Sequence, residues 1–287
     1  MSRLITLHVW RVPQTALPQA LWRMATDRQR LRRTRGVEFA KLLGTGRDLR
    51  FGPGAADPTR WAAVIAWNDP DAAGRFDDSA VGRAWGALAT ARCRVALRAV
   101  RSRGVWAGRA PFDVDRPSGP DGVDRPSGPD GVDRPSGPDG VDRPSGPDGV
   151  DRPGGDAARP DGDAPGPGGH ADGPVLVLTR ARLRPTRAVT FWRAIPAVEA
   201  TLAGAPGLLA AFGIGEAPLG WQGTVSVWRA ATDVTGFAYG RTEHRAVVTA
   251  TPVRRWYAEE LFARFTVLHV DGDRDVLGWK EGEDYPR

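Results

Sequence analysis

The chain has 287 residues, room for one large domain or two small ones, with 41% hydrophobic side chains and a formal charge of +6. Its single cysteine, Cys93, excludes a disulfide scaffold and a Cys-rich zinc or iron–sulfur site. No apolar run is long enough to span a bilayer, and the first residues carry no signal-type core, so the expected location is cytoplasmic.

In chain order, residues 4–12 read as a strand and 18–35 as a helix. Strands are expected at 37–44 and 61–67, a second helix at 69–91 and a fourth strand at 94–100. The composition then changes. From 114 to 149 the nonapeptide Val-Asp-Arg-Pro-Ser-Gly-Pro-Asp-Gly occurs four times, inside a stretch (113–173) rich in Pro, Gly and Asp. One valine per repeat cannot offset the chain entropy of folding, so this segment is expected to be a disordered linker. Beyond it, residues 174–183 read as a strand and 186–203 as a helix. Strands follow at 208–214 and 223–228, then a mostly helical stretch at 232–261 and a last strand at 265–270.

The order β-α-β-β-α-β thus occurs twice, which is the ferredoxin-like arrangement. Landmarks repeat with it. Trp67 and Phe76 have counterparts in Trp228 and Phe237, Gly44-Thr45-Gly46 in Gly213-Ile214-Gly215, and Trp106 in Trp279. An internal duplication is the inference. The expected fold is α+β: an N-terminal ferredoxin-like half (1–112), the linker (113–173) and a C-terminal ferredoxin-like half (174–287). The halves would bury their bare sheet faces together as a dimeric α/β-barrel-like pseudo-dimer around an apolar interior.

Several stretches resemble the spheroidene monooxygenase family, the carotenoid 2-ketolases of purple phototrophs. They are Phe39-Ala40-Lys41-Leu42-Leu43-Gly44-Thr45-Gly46, Phe191-Trp192-Arg193, Gly213-Ile214-Gly215-Glu216-Ala217-Pro218 and Trp256-Tyr257-Ala258-Glu259-Glu260-Leu261-Phe262-Ala263-Arg264-Phe265. Ala40 departs from the family, which usually has tryptophan there. The resemblance implies a haem-dependent monooxygenase on a dimeric α/β-barrel fold. Haem b would be the cofactor, dioxygen the oxidant, a ferredoxin the electron donor and an acyclic carotenoid the substrate.

Haem needs an axial ligand, and the chain has four histidines: His8, His170, His244 and His269. The resemblance places a histidine in the helix that carries His244, making His244 the expected ligand to iron. His8, on the first strand, is the second choice if it points into the barrel. Cys93, between arginines that would lower its pKa, is set aside. Arg193 is the candidate catalytic donor toward bound oxygen, with a propionate clamp as its other use. Trp192, Phe237 and Trp256, with Phe191, are the expected wall of a cofactor cavity.

Two other classes stay open on the residues. One is a cofactor-free monooxygenase on the same barrel, acting on a polycyclic aromatic or quinol. The other is a basic nucleic-acid-binding module, since outside 113–173 there are 34 basic against 20 acidic side chains. No strand carries the aromatic pattern of a base-stacking sheet, so no nucleic acid is expected. The basic run Arg28, Arg30, Arg32, Arg33, Arg35 would equally suit peripheral contact with the inner face of a membrane.

Overall fold

The computed structural model describes residues 3–47, 54–112, 173–184, 186, 202–216, 221–240 and 257–280. Eight strands form a closed antiparallel barrel: β1 (Leu4–Arg11), β2 (Val37–Gly46), β3 (Ala56–Trp67), β4 (Ala91–Gly104), β5 (Val175–Leu183), β6 (Leu208–Gly215), β7 (Trp221–Trp228) and β8 (Tyr257–Gly272). Around the barrel they run β1-β3-β2-β6-β7-β5-β8-β4, with β4 returning to β1. Met1–Asp115 and Ala171–Arg287 belong to one compact unit.

Strand alternation decides what lies inside. Ile5, Leu7 and Val9 of β1 face the interior with Val95 and Leu97 of β4, Leu176 and Leu178 of β5, and Phe212 of β6. Trp106, Phe112, Leu277 and Trp279 join that core from outside the strands. On the opposite face of the β1–β3 sheet, Trp10, Ala63, Ile65 and Trp67 pack beneath helices. Those helices are α1 (Leu17–Arg32), α2 (Pro70–Gly74) and α3 (Ala80–Leu88). Burying both faces explains why β3 reads as a near-continuous apolar run.

The helix expected over 69–91 is broken. Asp69 caps α2 through its side chain, a 3-10 turn at Phe76–Asp78 intervenes, and Ser79 caps α3 by accepting from the Gly82 amide. The helical reading of 232–261 also needs correction. Helix α4 covers Ala231–Gly240, but Tyr257–Leu261 already belongs to β8, and 241–256 lies outside the described residues. The run Ala-Glu-Glu-Leu favours helix locally. It is overridden because β8 pairs on one side with β5 (Arg182↔Glu259, Arg180↔Leu261) and on the other with β4 (Gly104↔Leu261).

The same local features occur in both flanks. Leu4 pairs with Trp67, and Val175 with Trp228. A register shift falls at Val37/Phe39 in one flank and at Leu208/Ala210 in the other. Trp67 meets Phe76 at a ring separation of 5.9 Å, and Trp228 meets Phe237 at 5.2 Å.

Closure is made edge to edge rather than by sheets stacking face to face. The β4–β8 seam is long, running from Cys93↔Gly272 to Gly104↔Leu261, while β2–β6 pairs only at Gly44↔Gly215 and Thr45↔Ile214. Two glycines end the long seam. Gly104 and Gly272 have φ of +85° and +90°, and a Cβ on either would lie 2.2 Å from the Glu260 carbonyl oxygen or 2.4 Å from that of Arg92. Each neighbouring amide uses that same oxygen: Val105 donates to Glu260 and Asp273 to Arg92, both at 2.8 Å. Gly104→Ala is therefore expected to cost about 2 kcal/mol from the left-handed backbone and the backbone clash, read as a lowered urea midpoint. An unchanged midpoint would refute it.

Candidate functional site

Of the residues expected to carry the chemistry, Arg193, Trp192, His244 and Trp256 lie outside the described residues. Phe237 lies on α4, half-buried against Trp228, with Val175, Val177, Leu202, Ala205 and Leu208 around it. It therefore belongs to the helix-facing layer of the second flank.

His8 does not point into the barrel, which corrects the orientation expected for it as second-choice ligand. Alternation sends it outward with Thr6 and Trp10, where it is 2% exposed. Its ring lies 4.4 Å from Phe76 and 5.7 Å from Trp10, centre to centre. Trp67 Nε1 donates to Thr6 Oγ1 at 2.8 Å, and the same hydroxyl shares a hydrogen bond with His8 Nε2 at 3.1 Å. Burial, with the Arg94 and Arg92 charges, pushes the imidazole pKa down to about 3. The ring is a neutral packing element whose Nε2 is already engaged.

Cys93 behaves opposite to the sequence expectation. It faces the barrel core, and burial raises its thiol to about 12 despite the Arg274 charge, with Asp273 and Asp271 adding to the rise. The flanking Arg92 and Arg94 point to the other face, so they do not generate a thiolate. His269 is exposed on β8. Among the described residues, no group of three or more His, Cys, Asp or Glu is placed to hold a metal ion.

What the structure does bring together is a buried charge network inside the barrel. Lys41 of β2 donates to Glu216 Oε2 at 2.6 Å, Trp106 Nε1 donates to Glu216 Oε1 at 2.6 Å, and Arg180 Nη2 of β5 reaches Glu216 Oε1 at 3.1 Å. Arg180 Nη1 donates to Glu259 of β8. Glu259 in turn accepts from the Ala107 and Gly108 amides, both at 3.0 Å. The side chains of Arg180 and Lys41 are 3% and 9% exposed, and both carboxylates 12%, so these charges have exchanged water for one another.

Burial pushes the Glu216 carboxyl up. The hydrogen bonds from Lys41 and Trp106 and the charges of Lys41 and Arg180 outweigh it, so the group is held below its ordinary value. Burial likewise depresses the Arg180 pKa, opposed by the charge and hydrogen bond of Glu216. Lys41 and Arg180 also lie over the Trp106 ring at 5.8 and 5.6 Å. The arrangement fixes two carboxylates as acceptors and ties the short β2–β6 seam to β5 and β8.

Of the network only Trp106 stood out in the sequence, as a repeat landmark; Lys41, Glu216 and Glu259 each lie in one of the stretches that carry the family resemblance. A usable signal was there. Each is a charge in step with an inward apolar stripe: Phe39 and Leu43 for Lys41, Phe212 and Ile214 for Glu216 just past β6, and Leu261 and Ala263 for Glu259.

No family model matches the sequence. Over 259 residues the chain is 27% identical to the spheroidene monooxygenase of Rhodobacter capsulatus, an alignment covering 90% of this chain and 87% of that protein. The spheroidene monooxygenase of Rubrivivax gelatinosus is 28% identical over 245 residues, covering 83% and 71%. Among solved structures, aldoxime dehydratase shares the fold with a TM-score of 0.50 and 15% identity, over 93% of this chain and 82% of that one. The chain is thus similar along both flanks to curated spheroidene monooxygenases, at 23–28% identity.

Proposed function

We propose that the chain is a haem-dependent monooxygenase of a hydrophobic, carotenoid-like substrate. The monooxygenase class follows from the kinship, and the collinear similarity to curated spheroidene monooxygenases is the observation that carries it. Haem b, the carotenoid-like substrate and a ferredoxin-type electron donor belong to the proposal. So does the architecture of two ferredoxin-like βαββαβ halves, closed as a pseudo-dimer and joined by residues 113–173. The paired registers, the matched bulges and the two Trp–Phe contacts support that reading.

The described residues bear on where a flat cofactor fits. In the first half the layer between sheet and helices is filled by Trp10, Trp61, Trp85, Phe76 and His8. At the corresponding places on β5, where the closing tryptophan again pairs with the first residue, Val177, Thr179 and Ala181 replace Thr6, His8 and Trp10. The sheet floor of the second half is lower by the bulk of an indole and an imidazole. That half also carries Phe237, Arg193 and His244.

In this reading His244 would hold the haem iron, and Trp192, Phe237 and Trp256 would wall the apolar sides of the cofactor. Arg193 would supply a guanidinium donor for charge developing on bound oxygen. Bound haem would supply dioxygen activation, one oxygen atom going to the substrate and the other leaving as water with two electrons from the donor and two protons from solvent. The protein's share is to position the apolar substrate, exclude water and orient the Arg193 guanidinium. The test is optical. Purified protein titrated with haemin is expected to develop a Soret band that His244→Ala abolishes and His269→Ala leaves unchanged. A colourless protein after haemin addition, or an unaltered band in His244→Ala, would overturn the assignment. Oxygen consumption by haem-free protein with a quinol would point instead to the cofactor-free class.

A further inference from the structure

Helix α1 buries Ala20, Met24, Asp27 and Leu31 against the sheet. At 100° per residue the arc turned away from them holds Pro18, Trp22, Ala25, Gln29, Arg32 and Arg33, with Leu21 at its edge. The N-terminal part of this outward stripe is apolar: Leu21 is 58% exposed and Trp22 53%. Its C-terminal end is cationic, with Arg32, Arg33 and Arg35 all exposed. The one acidic residue of the helix, Asp27, is buried and engaged by Arg23 and Arg30 at 3.6 and 3.0 Å. No carboxylate therefore faces outward from α1 to compete for its terminal arginines. Arg23 lies over the Trp22 ring at 5.2 Å, which holds the indole on the surface.

We propose that α1 is a docking face for an anionic lipid bilayer, its long axis lying in the plane of the headgroups. Leu21 and Trp22 enter the boundary between headgroups and acyl chains, and Arg32, Arg33 and Arg35 meet lipid phosphates. An aliphatic and an indole side chain, followed along one stripe by arginines, meets both requirements of an interfacial helix at once. A nucleic acid would use the arginines but offers nothing to Leu21. The helix is about 24 Å long at 1.5 Å per residue, so both ends touch one planar surface together. This inference stands apart from the haem assignment, since neither the ligand nor the cavity enters it.

The experiment is co-sedimentation of the full chain with vesicles of phosphatidylcholine alone or containing ~30% phosphatidylglycerol. Binding is expected only with the anionic lipid and should fall as salt rises. Trp22→Ser with Leu21→Ser should weaken it about tenfold or more, and Arg32→Gln with Arg33→Gln about thirtyfold. All four side chains are exposed, so an unchanged urea midpoint is expected alongside, as is an unchanged haemin titration. The proposal is overturned if wild-type protein stays with the supernatant in low salt, or if either double variant binds as wild type. It is equally overturned if a duplex RNA binds in place of vesicles and Trp22→Ser leaves that binding intact. A lipid-free dimer that Trp22→Ser dissociates would assign the face to a second copy instead.

Discussion

Glu216→Ala is expected to destabilise the protein by about 3–5 kcal/mol, the cost of breaking a buried charge network by removing one partner. The substitution takes the carboxylate from Lys41, which bonds it at 2.6 Å, and leaves the Trp106 indole N–H without its acceptor. Arg180 keeps Glu259. Most of the penalty therefore falls on the Lys41 ammonium, 9% exposed and stranded inside the barrel. Replacing both ends with apolar groups of similar volume, Lys41→Met with Glu216→Leu, removes the stranded charge and should recover most of the loss. Urea unfolding of the wild type, Glu216→Ala and the double variant checks this. A cost below about 1 kcal/mol for Glu216→Ala would show that water reaches the network and screens it. The pH dependence has a fixed sign. The folded carboxyl is held below its unfolded value of about 4.3, so its contribution is complete above that pH and is lost as pH falls through the folded value.

The existence of the eight strands was legible because β-branched and aliphatic runs were punctuated by glycine, proline and capping residues. The matched Trp67/Phe76 and Trp228/Phe237 landmarks survive as ring contacts. Boundaries were less legible, for physical reasons. Residues 257–261 have helix-forming composition, and only pairing with β5 and β4, far away in sequence, turns them into strand. The direction of His8 was ambiguous because both faces of β1 are buried, which removes the polar–apolar alternation that normally reveals a strand's outer side. The charge network was hidden for another reason. Its members come from β2, β5, the end of β6 and β8, so no local window contains two facing partners. Arg193, Trp192, His244 and Trp256 rest on the sequence resemblance.

Between pH 6.5 and about 4 the protein is expected to lose about 3 kcal/mol of stability through His8 alone. In the folded chain this imidazole stays neutral down to about 3, because burial and the Arg94 and Arg92 charges oppose its protonation. In the unfolded chain it takes up a proton near the ordinary value of 6.5. The unfolded state therefore binds the extra proton throughout that window, and each pH unit costs the native state about 1.36 kcal/mol. The loss begins as pH drops below 6.5 and levels off only near 3. His8→Phe keeps an aromatic ring between Phe76 and Trp10 but cannot titrate, so its urea midpoint should decline less steeply with acid. Midpoints measured for both proteins at several pH values between 7 and 4 isolate the effect, because every other titrating group is common to the two. Parallel curves would mean that the folded protein protonates His8 as readily as the unfolded chain. The His8–Thr6–Trp67 chain would then open at little cost.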